Sequence, residues 1–155
     1  MNSFKKISIA TAAALAIVGI SVAPSSAAPL AVTVATVANA TTLAAPTTVA
    51  VPSANQITSG TSVALAATAD TSTVVSFVAS DTVKLVTALH TTDAPKTIAS
   101  GVSTLSITSA GTAVTVYAYT TSVKVGTVTI TNGAYSTIVY IKGIAGAASN
   151  VAVAV

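Results

Sequence analysis

Cysteine, tryptophan, arginine and glutamate are all absent from this 155-residue sequence. Without Cys there is no disulfide framework, no thiolate metal site and no residue for lipoprotein processing, so stability has to come from an apolar core alone. Charge is nearly as scarce, at 6% of residues against roughly a quarter in an ordinary soluble domain. The formal charge of +3 comes largely from Lys5 and Lys6; the rest of the chain sets Lys84, Lys96, Lys124 and Lys142 against Asp70, Asp81 and Asp93, a net of +1. Nucleic acid and anionic lipid both require clustered basic residues, so neither is an expected partner. There is a single His, which confines any catalytic triad to His90.

What is present is apolar residues, 52% of the chain, interleaved with Ser and Thr. Residues 1–27 follow the plan of a signal peptide: Lys5 and Lys6 at the start, an apolar run centred on Ala12 to Val22, and small residues at Ser25 and Ala27. Cleavage is expected to leave Ala28 as the mature start, with Ile7 to Val22 helical in the precursor. A membrane anchor is the competing reading, but Thr11 and Ser21 interrupt the run and Pro24 stops it short of the ~20 residues a span needs. The membrane is therefore met only through the signal peptide, before cleavage.

Residues 28–45 read as a linker or a loose first strand. From 46 to 146 the apolar residues alternate in short runs separated by Gly, Asn, Asp, Ser and Pro, the pattern of an all-β sandwich of about seven or eight antiparallel strands. Strands are expected at Thr47 to Val51, Ser62 to Ala69, Thr73 to Ser80, Val83 to Val86, around Leu105 and Ile107, at Ala113 to Thr120, and in a closing hairpin. Thr87 to Ser100 is the longest loop and the least ordered stretch. In the hairpin, Asn132-Gly133 suits a type I′ turn, placing Ile130 opposite Tyr135 and Val128 opposite Thr137. Val128, Ile130, Val139 and Ile141 then share the core face. A membrane β-barrel would also explain the hydropathy, but the four Tyr and two Phe are too few for its aromatic girdles.

The run Val114-Thr-Val-Tyr-Ala-Tyr119, followed by Gly126-Thr-Val-Thr-Ile-Thr-Asn-Gly133 and Thr137-Ile-Val-Tyr-Ile-Lys-Gly143, resembles the closing strands of bacterial immunoglobulin-like modules of surface and adhesin proteins. The resemblance covers about Pro46 to Gly146. It implies an immunoglobulin-like sandwich serving as a spacer, envelope component or adhesive module, with no catalytic residues to carry over.

The chemistry-bearing residues point the same way. His90 and Asp93 share a loop, but no G-x-S-x-G elbow accompanies them, and a surface histidine is the simpler reading. Asp70, Asp81 and Asp93 are spread along the chain without the D-x-D clustering that calcium's six to eight oxygen ligands favour, so they read as turn formers. Neither metal nor cofactor is expected.

Tyr117 and Tyr119 project from one face of a strand, and Tyr140 sits on the polar side of the hairpin; if the three converge they form an aromatic platform for a glycan. Two functions follow: an exported structural module of a cell surface or envelope, or an adhesive, carbohydrate-binding one. At the far end, Val151-Ala-Val-Ala-Val155 alternates like Leu30-Ala-Val-Thr-Val34, so residues 147–155 read as a tail or the start of a next module, unpaired and open to strand addition by a second copy or a neighbouring module.

Overall fold

A computed structural model of the chain describes residues 30–34, 37–38, 42–80 and 82–146. The signal segment, the Ala28 start, Asp81 and the 147–155 tail lie outside the described residues. Among these residues there are ten strands: β1 (Val32–Val34), β2 (Val37–Ala38), β3 (Thr47–Ala50), β4 (Val63–Ala67), β5 (Val74–Ala79), β6 (Val83–Val86), β7 (Thr104–Thr108), β8 (Val114–Thr120), β9 (Val125–Asn132) and β10 (Tyr135–Ile144). They form two five-stranded sheets, ordered β2-β1-β4-β8-β6 and β3-β10-β9-β5-β7. The all-β sandwich is as the alternation predicts.

The inward residues of both sheets make one core. Leu65 of β4, Phe77 of β5, Leu85 of β6, Val116 of β8, Ile130 of β9 and Ile141 of β10 are all completely buried within it. Full burial of each such side chain stabilises the fold by about 1.5–3 kcal/mol. Apolar residues thus turn inward and hydroxyls outward, the reverse of a membrane barrel.

Three expectations need correction. First, the sandwich does not begin at residue 46: of the linker and the first strand offered for residues 28–45 the strand forms, β1 pairing antiparallel with β4, Val32 opposite Ala67 and Val34 opposite Leu65. Leu30, Val32 and Val34 belong to the main core, so the domain includes residues well before Pro46. Leu30 also stitches the sheets together, its N–H donating to Ser136 O at 3.3 Å and its carbonyl accepting from the Thr137 hydroxyl at 2.6 Å. Second, the pairing is not wholly antiparallel, since β3 runs parallel to β10.

Third, the closing hairpin is displaced. Ile130 faces Thr137, Val128 faces Val139, and Asn132 faces Tyr135. Gly133 and Ala134 are therefore the central turn residues, and of these only Gly133 has a positive φ, +58°, which suits a type II′ turn with Gly first. Asn132 is drawn into β9 because its side chain is needed there: Nδ2 donates to Thr73 Oγ1 at 2.9 Å and to Val74 O at 3.0 Å. The slip is by two residues, so the faces are unchanged and Val128, Ile130, Val139 and Ile141 are buried as expected.

Candidate functional site

The three tyrosines sit on outer faces, but of different sheets. Val114, Val116 and Ala118 of β8 enter the core, so Tyr117 and Tyr119 point out of the β2-β1-β4-β8-β6 sheet. Val139 and Ile141 enter the core from β10, so Tyr140 points out of the opposite sheet. The three do not converge: the sandwich stands between Tyr140 and the other two.

Tyr119 is also inaccessible. It is completely buried in a second, smaller core with Ile57 and Val86, against which Leu89, Ile98 and Tyr117 pack. The cover is the segment expected to be least ordered. His90 N–H donates to Ile57 O at 2.8 Å, Ile57 N–H to Lys96 O at 3.0 Å, and a short 3-10 helix, Ile98–Ser100, closes the stretch. Asn55, at φ +52°, accepts from Ile98 N–H at 3.2 Å through Oδ1. The Tyr119 phenol donates to Ile98 O. Burial pushes this phenol above its ordinary pKa, with a backbone hydrogen bond from Gly101 acting the other way. Gly101 is required by the approach, since a Cβ there would lie 2.0 Å from Tyr119 Oη and 2.8 Å from Lys84 Cβ.

Tyr117 reaches a cleft. It is half-buried and lines a hollow of about 290 Å³, with Thr47, Thr48, Ser59, Ser62 and Val63 among its walls. A second cleft of about 290 Å³ at the other end involves Leu30, Asp70, Asn132 and Tyr135. Both are just below the range of roughly 300–1,000 Å³ usual for small-molecule sites.

His90 is half-buried, not a free surface side chain; its Nδ1 accepts the Lys96 N–H at 3.1 Å, which leaves the ring proton on Nε2. Asp70 and Asp93 are exposed in turns as expected, but the side-chain bonds there come from threonine. Thr73 Oγ1 donates to Asp70 O at 2.7 Å, and Thr91 Oγ1 accepts from Ala94 N–H at 3.0 Å. No group of three or more His, Asp or Glu that could hold a metal ion occurs among the described residues.

Sequence reasoning missed Ser109, which is buried and ties two turns together. Its one hydroxyl hydrogen has Ala69 O at 3.1 Å and Thr112 O at 3.2 Å as alternative acceptors, and its oxygen accepts from Gly111 N–H at 3.1 Å. Only its place just before Ala110-Gly111 hinted at this.

Comparison with known proteins returns no match of the sequence to any protein-family model, and no curated protein or solved structure is similar to it.

Proposed function

We propose that the chain is an exported, non-catalytic structural module of a cell surface or envelope, a spacer or lattice component built on an immunoglobulin-like sandwich. The observation that carries this reading is the chemistry of the sheet faces. Among the described residues, Lys84 and Lys142 are the only charged side chains within strands. The outer face of the β3-β10-β9-β5-β7 sheet is instead a grid of hydroxyl and methyl groups. One rank across it is Ser106, Ser76, Thr131 and Ser136, and the next is Thr104, Val78, Thr129 and Ile138. Away from Tyr140 and the exposed Lys142 of β10, such a face offers neither a proton-transfer group nor a charged anchor, and it suits a module whose task is extent and rigidity.

The strand order supports the immunoglobulin-like part. With β2, β3 and β7 set aside, the other strands lettered in chain order stand as A-B-E-D (β1-β4-β8-β6) and G-F-C (β10-β9-β5). That is the arrangement of a constant-type immunoglobulin sandwich. The Lys5-Lys6 start and apolar run of residues 1–27 support export.

Carbohydrate binding is the second reading, favoured by Tyr117 in its hydroxyl-lined cleft. Retention of the folded protein on a glycan array and on insoluble wall polysaccharides separates the two. The structural reading expects no retention. Retention that Tyr117→Ala abolishes, with folding intact, would replace it with the second.

A further inference from the structure

The sandwich has four strand edges, and three of them are blocked. β2 is two residues long; β3 lies between Pro46 and Pro52; β6 carries Lys84 and is covered by Val102, which exchanges hydrogen bonds of 2.9 and 3.0 Å with Leu85. Short strands, Pro, Lys and covering segments are the usual means by which an edge is kept from pairing. Among the described residues β7 has none of them. It is also the strand added beside C of the A-to-G order, so it is the outermost strand of its sheet.

The free groups of β7 follow from the ladder. Ala79 N–H donates to Ser103 O and Ser109 N–H to Thr73 O, each at 2.8 Å. By the alternation of an antiparallel pair, Leu105 and Ile107 bond inward to β5, and Thr104, Ser106 and Thr108 direct their N–H and C=O groups away from the sheet.

The sequence of this edge is its own mirror. Ser103-Thr-Leu-Ser-Ile-Thr-Ser109 reads the same in both directions about Ser106, with Leu and Ile exchanged. We propose that β7 pairs antiparallel with β7 of a second copy about a two-fold axis at Ser106, joining two five-stranded sheets into one of ten strands. Ser106 then faces Ser106 of the second copy, and Thr104 and Thr108 face each other, each pair exchanging two backbone bonds. On the outer face hydroxyl meets hydroxyl, a favourable cross-strand pairing. On the inner face Leu105 meets Ile107, and both are now only partly buried at the flank of the core. No charge lies in the segment. Lys84, which donates to Ser103 Oγ at 2.7 Å, sits at its end, so the two copies' lysines are ~20 Å apart along the strand direction, beyond the ~8 Å screening length. The pairing does not depend on the envelope reading, since the edge exists wherever the protein resides.

The test is sedimentation velocity of the purified chain from micromolar to submillimolar concentration, with oxidative cross-linking of single-cysteine variants. The chain has no Cys, so each variant reports one site. Ser106→Cys should form a disulfide dimer, because facing Cα atoms of a bonded pair lie about 5.5 Å apart, within the disulfide range of about 4.4–6.8 Å. Thr104→Cys should not, its copies being ~13 Å apart. Ser106→Pro removes one outward N–H and should give a folded monomer. A wild-type monomer at submillimolar concentration, a folded Ser106→Pro dimer, or equal cross-linking by Thr104→Cys overturns the proposal. Should Ser106→Pro fail to fold, the cysteine pair decides alone.

Discussion

Tyr119 donates its phenolic hydrogen to the carbonyl of Ile98, 21 residues earlier in the chain, and so pins a long connecting segment onto the outer face of a sheet. Tyr119→Phe keeps the ring and loses this bond, leaving the Ile98 carbonyl without its donor. It should lower stability by about 1–2 kcal/mol. Hydrogen exchange should rise most over residues 87–100, and much less in β9 and β10, none of whose residues belongs to this small core.

The same phenol gives a pH dependence with a definite sign. Its folded pKa is raised by burial, so between the unfolded value of about 10 and the folded one the unfolded chain has already lost a proton that the folded chain retains. The stability contributed is fully present below pH ~10 and is lost as pH rises through the folded pKa. Urea midpoints measured from neutral to strongly alkaline pH should fall more steeply for the wild type than for Tyr119→Phe. Parallel curves would contradict the assignment.

Gly101→Ala should be costly although its φ of −79° suits any residue. The new methyl would overlap Tyr119 Oη and crowd the Lys84 stem, an overpacking penalty of ~1–3 kcal/mol. At Gly133 the demand is the opposite one: a Cβ there meets open space, and the strain lies in φ. Gly133→Val should destabilise the hairpin by ~1–3 kcal/mol, measurable by thermal denaturation, because a β-branched residue resists positive φ.

Ile130→Ala or Val139→Ala should each cost ~2–4 kcal/mol, since both side chains are buried between the sheets. Thr129→Ala, on the hydroxyl face, should cost less than ~1 kcal/mol. The reverse order in denaturant midpoints would put β9 out by one residue, because a single slip exchanges the faces.

The strands were legible because each turns one apolar face inward, and period 2 is written locally: Val75 and Phe77, or Val128 and Ile130, need no knowledge of their partners to be read as core. The parallel partner of β10 and the exact hairpin register were not legible, because both depend on bonds to remote residues, Asn132 to Thr73 and Val74 in particular. The cover over Tyr119 was hidden for the same reason. Residues 87–100 carry no periodicity, and what orders them is a phenol, an imidazole nitrogen and an asparagine oxygen reaching lone backbone groups. An aromatic pair on one strand face looked like a platform; the sequence holds no local sign that a loop lies over half of it.

That the protein acts outside the cytoplasm is the claim on which the proposed function as an envelope module rests, and it is tested most directly by fractionating cells that produce the full chain and sequencing the N-terminus of the product. Export should yield protein in the envelope or the medium beginning at or near Ala28, after removal of residues 1–27. Protein retained in the cytoplasm with Met1 still attached would contradict it.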